Sequence, residues 1–249
     1  MPRDDVICGY HAVLSALDHH PDTVAEIFLQ DKQREKRAET LVQRARAAGV
    51  RIKQVSRVEL DQIVGEQTRH QGVVARLNAQ IPPLNFEAFL ETLDNNAFLL
   101  VLDGIQDPHN LGACLRSADA AGVQAVIIPK DKAASITPVV RRAASGAAEV
   151  MPLYQVTNLA RSLREIKDKG VWLVGTSDDA EESLYEADLT GPMAIVMGSE
   201  GKGMRHLTRE HCDKFISIPM HGTVSSLNVS VATGVCLFEA MRQRTRKLK

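Results

Sequence analysis

Short apolar runs alternate with amphipathic segments along most of the chain, and the pattern becomes regular after residue 97. The apolar runs there contain no alternating polar residues, which is typical of strands in a parallel sheet covered on both faces. These runs are Phe98–Leu102, Ala125–Ile128, Val171–Gly175, Met193–Met197 and Phe215–Ile218. Helical patterns follow at Leu111–Ala121, Thr137–Ser145, Leu159–Lys167 and Val229–Met241. The alternation predicts an α/β domain with a parallel sheet over residues 97–249.

Residues 1–78 show a shorter alternation that predicts a separate, small α/β domain. The predicted strands are Ala25–Leu29, Arg51–Val55 and Gly72–Leu77, and the predicted helices are Arg34–Ala48 and Val58–Val64. Residues 79–96 contain Pro82-Pro83 and acidic but no basic side chains. Because two consecutive prolines break helical continuity, we interpret 79–96 as a linker, within which Phe86–Leu93 has the pattern of a short amphipathic helix.

The composition is that of an ordinary folded protein. The 249 residues are 44% hydrophobic and 24% charged, which disfavours disorder and filamentous classes. The four cysteines form no CxxC pair, so reduced thiols are expected rather than a zinc ribbon or a disulfide framework. The charged start of the chain and the lack of about eighteen continuous apolar residues predict a soluble, cytoplasmic protein without a membrane span.

The net charge of −1 argues at first against a nucleic-acid partner, but the charge is unevenly distributed. The stretch Gln30–Arg57 contains nine basic and three acidic residues, a local surplus of six. Arg242–Lys249 adds five basic residues and no acid. The local surplus fits either a solvated helix face or a surface that contacts phosphates.

Unusual residues follow the predicted strands, where ligands bind in parallel α/β sheets. After the first strand of the second domain, Asn110 precedes a helix that carries Arg116. Asn110 can be a helix cap, and Arg116 can pair with Asp119 three residues later. The small residues Ala113 and Ala120 on the same face as Arg116 also suit a helix that lies against another backbone, as at a subunit interface.

Two further loops combine polar and glycine residues. Gly198, Gly201 and Gly203 surround Glu200 directly after a strand, in a pattern that matches neither a phosphate loop nor a dinucleotide fingerprint. The segment 218–230 follows the last strand and opens the last helix, where Ser226 or Asn228 can be a cap. Each loop taken alone is ambiguous.

In their order and spacing, the three loops resemble the three motifs of the SpoU (TrmH-like) branch of the SPOUT RNA methyltransferases. The first matches Asn110-Leu111-Gly112-Ala113 through Arg116 to Gly122, and the second matches Met197–Gly203. The third matches Ile218-Pro219-Met220 with Ser225–Ala232. The resemblance covers essentially the whole chain, including the basic N-terminal domain, which looks like the ribosomal-protein-L30-like (L30e-like) RNA-binding module of this family.

The resemblance implies a SPOUT (α/β-knot) domain over 97–249 with a C-terminal trefoil knot, and a homodimer. It implies transfer of a methyl group from S-adenosyl-L-methionine to a ribose 2′-hydroxyl, without a metal. The similarity is greatest to members that modify a guanosine in the peptidyl-transferase region of the large-subunit (23S) rRNA. The partner is therefore expected to be ribosomal RNA, with phosphate contacts from Lys32, Arg34, Lys36 and Arg37.

The family's site residues carry over onto matching positions of this chain. Those implied as catalytic are Asn110, Arg116, Glu200, Ser226 and Asn228, and those implied as cofactor-binding are Met197, Gly198, Ile218, Met220, Ser226 and Leu227. Relatives assign the role of base to the arginine at position 116. Because an arginine is essentially always protonated, our hypothesis is that Arg116 clamps the target phosphate and stabilises the developing alkoxide.

Other functions remain open from the sequence. The same scaffold serves tRNA or other rRNA ribose 2′-O-methyltransferases, and a non-catalytic RNA-binding or ribosome assembly factor could keep the fold. The combination of Asn110, Arg116, Glu200 and Asn228 favours an enzyme over a binding factor. A nicotinamide-dependent oxidoreductase is a more distant alternative, because no dinucleotide fingerprint follows the first strand of either domain.

Overall fold

The chain folds into two compact units that differ in their sheets. A computed structural model describes residues 6–19, 21–31, 35–65, 70–78, 85–131, 133–199, 201 and 203–247. The first unit comprises Met1–Pro83 and Ile136–Val150, and the second comprises Leu84–Ser135 and Met151–Lys249. The segment 136–150 therefore groups with the N-terminal part of the chain, although it lies within the predicted second domain. The predicted boundaries at residues 78 and 97 stay a prediction.

The first unit is built on a four-stranded mixed sheet. Its first elements are β1 (Val6–Cys8), α1 (Tyr10–His19), β2 (Val24–Gln30), α2 (Glu35–Ala47), β3 (Arg51–Val55), α3 (Arg57–Val64) and β4 (Val73–Leu77). The strand order is β1-β4-β2-β3, in which β2 and β3 are parallel and the other pairs are antiparallel. One face packs on α1 and α2 around Ile7, Ile27 and Leu41, and the other packs on α3 around Leu60.

The second unit contains most of the remaining elements in an alternating order. They are α4 (Phe86–Leu90), β5 (Phe98–Asp103), α5 (Pro108–Ala120), β6 (Ala125–Pro129), β7 (Leu153–Val156), α8 (Leu159–Asp168), β8 (Trp172–Thr176), β9 (Met193–Gly198), α9 (His206–His211), β10 (Lys214–Ile216) and α10 (Val229–Lys247). The chain between β6 and β7 forms α6 (Pro138–Ala144) and α7 (Ala147–Val150), both of which belong to the first unit.

The second unit's sheet has six strands, all parallel, in the order β10-β8-β9-β5-β6-β7. Every residue of the central strand β5 is buried, because helices cover both faces. The predicted α/β class with a parallel sheet is therefore confirmed. The stretch predicted as a linker contributes α4, whose Phe86 and Leu90 are buried in this core and whose Phe89 stacks on Tyr154.

Among the described residues, two strands and three α-helices were absent from the predicted pattern: β1, β7, α1, α7 and α9. The two strands are only three and four residues long, and such short apolar runs give little periodic signal. The last helix is longer than predicted and includes part of the basic C-terminal run. There Arg242 pairs with Glu239, while Arg244 donates to the carbonyl oxygens of Gly191 and Asn96, each at 2.6 Å. Two arginines of that run thus have structural partners.

Among the described residues, no helix is both long and apolar enough to cross a membrane. The four cysteines are free thiols, as the sequence predicts. Burial raises the pKa of the Cys212 thiol to about 12 and that of Cys8 to about 11. Both side chains therefore stay protonated near neutral pH, a state in which thiols are poor nucleophiles.

Candidate cofactor cavity and active site

A cavity of about 710 Å³ opens at the carboxyl ends of three neighbouring strands of the second unit. Its walls come from the loops that follow β8, β9 and β10 and from the start of α10. Met197, Ile216, Ile218, Met220 and Leu227 provide apolar surface, and Ser225, Ser226 and Asn228 provide polar groups. A volume of this size with mixed walls is typical of small-molecule and cofactor sites.

The wall that follows β9 is a tight glycine loop. Ser199 and Gly203 exchange two backbone hydrogen bonds, of 3.0 and 2.9 Å, which close the loop at its base. A Cβ atom on Gly198 would lie 2.5 Å from the backbone carbon of Gly203 and from the nitrogen of Met204. Gly201 and Gly203 both have positive φ, at 74° and 64°. The loop therefore requires glycine for space at one position and for backbone conformation at two others.

The end of this loop is tied to the neighbouring strand by a buried carboxylate. Asp103, the last residue of β5, accepts hydrogen bonds from the backbone nitrogen of Arg205 at 2.9 Å and from its Nε at 2.5 Å. Asp103 is 1% exposed. Asp103 and Arg205 both lie within or beside the motif loops. They are 102 positions apart in the sequence, and nothing in the local pattern around either residue predicts that they form a pair.

A second contact joins the starts of α5 and α10. The Asn228 Nδ2 donates to the Asn110 Oδ1 at 3.1 Å, and the Asn228 Oδ1 accepts from the backbone nitrogen and the hydroxyl of Ser230. Asn228 therefore caps α10, as one reading of the sequence expected, and also holds Asn110. Asn110 is itself 8% exposed. Its neighbour Asp107, rather than Asn110, caps α5 by accepting from the His109 nitrogen at 2.9 Å.

Arg116 lies on the exposed side of α5, while the opposite side packs on α10. At that contact the Cys114 Sγ lies 3.5 Å from the Thr233 Oγ1, and both residues are fully buried. A Cβ on Gly234 would lie 3.6 Å from the Ser117 Oγ, so the glycine inside α10 faces α5 at ordinary contact distance. The two helices are therefore closely packed along the face of α5 that carries Cys114 and Ser117.

A polar group on the cavity wall was missed by the sequence analysis. Arg209 of α9 bonds both oxygens of Asp179 and the Ser177 hydroxyl, and its guanidinium lies 4.6 Å from the centre of the Phe215 ring. Hydrogen bonds from Ser177 and Arg209 lower the pKa of the Asp179 carboxyl. Ser177 and Asp179 follow the predicted strand Val171–Gly175, so the rule that ligands bind after parallel strands could have indicated them.

The cavity brings together all six residues predicted to bind the cofactor. Met197, Gly198, Ile218, Met220, Ser226 and Leu227 all line it, as does Asn228. Asn110 and Arg116 are not lining residues, and Asn110 reaches the cavity through Asn228. Glu200, Lys32 and Arg34 lie outside the described residues, and the side chains of Lys36 and Arg37 on α2 do as well. The chemical roles of these residues stay predictions.

Comparison with known families decides the affiliation of the chain. Residues 97–238 match the model of the SpoU rRNA methylase family, and residues 6–83 match that of the RNA 2′-O ribose methyltransferase substrate-binding domain. This chain belongs to the SpoU rRNA methylase family. The resemblance read from the three loops is therefore confirmed.

Individual SpoU family members are similar over nearly the full chain. A protein of Shewanella oneidensis named 23S rRNA (guanosine-2′-O-)-methyltransferase RlmB is 53% identical over 98% of this chain and 99% of its own. The protein of the same name from Pseudomonas putida is 55% identical over 99% of this chain and all of its own. The SpoU methyltransferase AviRb from Streptomyces viridochromogenes, solved in complex with AdoMet, has a TM-score of 0.78 at 26% identity, covering 96% of this chain and 90% of AviRb.

The cavity of this SpoU family chain fits S-adenosyl-L-methionine by its own construction. The backbone at Gly198 leaves no space for a side chain, so the wall can approach a ligand closely, and the apolar residues Ile218 and Leu227 suit a planar base. Thr176, Ser177 and Asp179 offer hydrogen-bonding groups for a ribose or an amino-acid moiety. Within the described ranges, no group of three or more His, Cys, Asp or Glu side chains could hold a metal ion.

Proposed function

We propose that this protein transfers a methyl group from S-adenosyl-L-methionine to the ribose 2′-hydroxyl of a guanosine in 23S rRNA. The observation that carries this proposal is the cavity at the carboxyl ends of β8, β9 and β10, which is joined to α5 by the Asn228–Asn110 hydrogen bond. The names of the relatives at 53% and 55% identity support guanosine of 23S rRNA as the target. We place that guanosine in the peptidyl-transferase region, on the family resemblance.

The chemistry requires a bound cofactor, an aligned hydroxyl and a route for one proton. The cofactor supplies a methyl group on a positively charged sulfonium, which is already activated for transfer. The chain has to hold the cofactor in the cavity and keep the ribose oxygen in line with the methyl group. Ile218 and Leu227 would hold the adenine, and Gly198 would allow close backbone contact with the ribose. As the oxygen–carbon bond forms, the sulfur–methyl bond would break to leave a neutral thioether, and the hydroxyl proton has to leave the ribose.

Arg116 is proposed to bind the RNA phosphate next to the target ribose. A guanidinium matches phosphate through two parallel N–H donors, and its charge stabilises the oxygen as negative charge develops. Its place on the exposed side of α5 leaves it accessible to a macromolecular substrate. We propose this role instead of a base, because arginine holds its proton across the physiological pH range.

The remaining catalytic assignments rest on the family and on the contact between α5 and α10. Asn228, held by Asn110 and bonded to Ser230, is proposed to orient the ribose or the phosphate. Ser226 is exposed on the cavity wall and is proposed to donate to the same group. Glu200 is proposed, from the motif alone, to orient Arg116 or a substrate group.

The first unit is proposed to bind the RNA through phosphate contacts, in line with its substrate-binding family model. Its described basic residues Arg46, Arg51 and Lys53 are exposed, the last two on the edge strand β3. Lys32, Arg34, Lys36 and Arg37 are proposed to extend this basic surface. Aromatic residues make up 4% of the chain, so phosphate and shape recognition are favoured over base stacking.

We also propose that the protein acts as a homodimer through the exposed side of α10. Val231 and Phe238 lie on one side of that helix, two turns apart, and remain 52% and 44% exposed. These exposed apolar side chains, on a helix that packs against α5, suit contact with a second copy of the chain. Such a dimer would bring Arg116 close to the partner's cavity. Mixing an Arg116→Ala protein with a Ser226→Ala protein should restore activity if the site is shared, and no restoration would exclude sharing.

The proposed knot and the proposed cellular location of the protein rest mainly on the family. We propose a trefoil knot in residues 97–249, supported by the return of the chain from β9 to β10, which pairs with β8 on the far side of β9. Because the proposed substrate is ribosomal RNA, we propose that the protein acts in the cytoplasm.

The decisive experiment maps the methyl group on RNA. Purified protein is incubated with S-adenosyl-L-methionine and naked 23S rRNA from a strain that lacks the corresponding methylation, and modified ribose positions are located by resistance to alkaline cleavage. We expect one modified guanosine in the peptidyl-transferase region. If tRNA were modified instead, tRNA would be the substrate in place of 23S rRNA. If neither naked nor ribosome-assembled 23S rRNA were modified, the proposal would be overturned.

A further inference from the structure

We propose that Asp103 is a positioning residue that holds the glycine loop of the cofactor cavity through its ion pair with Arg205. Neither residue lines the cavity, so the effect of Asp103 on the cofactor is transmitted through Gly198, Ser199 and Gly203, which do. The inference rests on the proposed function only for the identity of the ligand. The claim about the loop itself concerns the protein without any ligand.

The burial of the Asp103 carboxylate is the first observation that supports this role. Its side chain is fully buried, whereas the Arg205 side chain is 50% exposed. A carboxylate withdrawn from water is unfavourable unless it is paired and hydrogen-bonded. Arg205 satisfies it from its backbone nitrogen and from its guanidinium, with 2.9 Å to the former and 2.5 Å to the Nε and the Nη2.

The place of Asp103 in the sheet is the second observation. Asp103 is the register partner of Gly198, the residue at which the chain leaves β9 and enters the glycine loop. Arg205 is the residue at which the chain leaves the loop and enters α9. Asp103 therefore lies beside the start of the loop, where it pairs with Gly198, and its carboxylate binds Arg205 at the end of the loop.

The conformation of the loop explains why the Asp103–Arg205 ion pair is needed. Between entrance and exit, Ser199 and Gly203 are joined by two backbone hydrogen bonds, and the Ser199 Oγ adds a bond of 3.1 Å to the Gly203 oxygen. The backbone of Gly203 passes so close to Gly198 that a Cβ there would meet it at 2.5 Å. Two glycines with positive φ have many alternative conformations, so the loop depends on its anchor to stay in the one that shapes the cavity.

The experiment combines Asp103→Asn with a readout that needs no cofactor. The asparagine keeps the size of the side chain and one acceptor but removes the charge that Arg205 neutralises. We expect hydrogen exchange at the Ser199 and Gly203 amides of the free protein to become at least about tenfold faster, and the Kd for S-adenosyl-L-methionine to rise about tenfold. The KM for RNA should stay within about twofold of the wild-type value.

Three further variants separate positioning from stability. Arg205→Gln changes a half-exposed side chain and should reproduce both effects, while Arg205→Lys, which retains a cation, should restore part of the affinity. Glu149→Gln is the matched control, because Glu149 is also a buried carboxylate paired with an arginine, Arg141, but belongs to the first unit. It should leave the loop amides and the cofactor Kd unchanged, whatever its effect on unfolding.

The outcomes distinguish this inference from the proposed function. Unchanged exchange at Ser199 and Gly203 in both Asp103→Asn and Arg205→Gln would overturn the positioning role, even if the wild-type protein methylates 23S rRNA. An equal loss of cofactor affinity in the Glu149→Gln control would also overturn it, because the loss would then reflect general destabilisation. Faster exchange in a protein whose wild type shows no methylation would support the positioning role while removing the proposed function.

Discussion

The cavity wall of the second unit and the basic surface of the first unit use polar residues in opposite ways. Behind the cavity wall, which neither of them lines, Asp103 and Asn110 are buried and each is held by a residue more than 100 positions away. On the first unit, Arg46, Arg51 and Lys53 are exposed and lie within one short stretch of sequence. A cavity of defined shape needs fixed groups, whereas contact with a phosphate backbone needs only charge of the right sign nearby.

This difference predicts different responses to mutation. Single changes in the glycine loop and at the buried residues behind the cavity wall should have large effects, because each of these residues has a particular place and partner. Changes on the basic surface should have small individual effects that add up and depend on salt. The four predictions below test this contrast in order of decreasing effect.

Gly198→Ala should have the largest effect. Its Cβ would meet backbone atoms at 2.5 Å, and backbone cannot move aside as a side-chain end can. We expect the affinity for S-adenosyl-L-methionine, measured by calorimetry, to fall by about 100-fold, which corresponds to about 2.8 kcal/mol. Gly191→Ala is the control, since a Cβ there meets nothing within 4 Å. Normal affinity of the Gly198 variant would show that the loop can adapt.

Arg116→Lys should reduce turnover while leaving cofactor binding intact. Lysine keeps the positive charge but loses the paired donors that would hold a phosphate and an alkoxide. We expect kcat on 23S rRNA to fall between about 10- and 100-fold, with an unchanged Kd for the cofactor. Arg164→Lys changes another exposed arginine, on α8, and should be neutral. Near-normal turnover by Arg116→Lys would eliminate the phosphate-clamp hypothesis.

Reversal of charge at Lys32, Arg34 and Lys36 to glutamate should weaken RNA binding in a salt-dependent way. Each lost phosphate contact means that fewer counterions are released when the RNA binds. The slope of log affinity against log salt should therefore become shallower by about 2. RNA affinity should fall about tenfold at low salt, and cofactor affinity should stay the same. An Arg164→Glu variant provides the control. If the slope were unchanged, the basic stretch would be a solvated face and not an RNA contact.

The smallest effect is expected from acid titration of Asp179. Its lowered pKa means that the ionised form stabilises the folded protein at pH values above the ordinary aspartate pKa, and that this contribution is lost as the pH falls through the lowered value. We expect Asp179→Asn to unfold at slightly lower urea than wild type at pH 7, and the two midpoints to converge in strongly acidic solution. Ser177→Ala should show part of the same effect. A difference that persists in acid would assign the effect to packing.

Most strands and helices with clear apolar patterns could be predicted from the sequence, whereas the short strands β1 and β7 could not. The strand at Arg51–Val55 has the predicted bounds, and β5, β9 and α8 differ from their predictions by a single residue. The strands β1 and β7 carry too few residues to show a period, and they form because neighbouring strands complete their hydrogen bonds. Length is not the only factor, because the ten-residue helix α1 was not predicted, whereas the three-residue strand β10 overlaps its predicted range.

The candidate site also divides into residues that the sequence indicates and residues that it does not. Met197, Gly198 and Leu227 could be indicated from sequence by the resemblance of their loops to the SpoU motifs, since each loop taken alone was ambiguous. Ser177 and Asp179 could also have been indicated, since they follow a predicted strand, but Arg209 and the Asp103–Arg205 pair could not, because these are polar residues with ordinary local surroundings. They meet because the strand order places β8, β9 and β5 side by side.

The sequence by itself determined the α/β class, the local basic surplus of Gln30–Arg57 and the three motif loops of the SpoU family. These are local properties, carried by periodicity and by residues close together along the chain. Only the tertiary structure decided which distant residues share the cavity, which carboxylate is buried against which arginine, and that residues 136–150 group with the first unit. Parallel strands pair across long stretches of chain, so no local pattern encodes their neighbours.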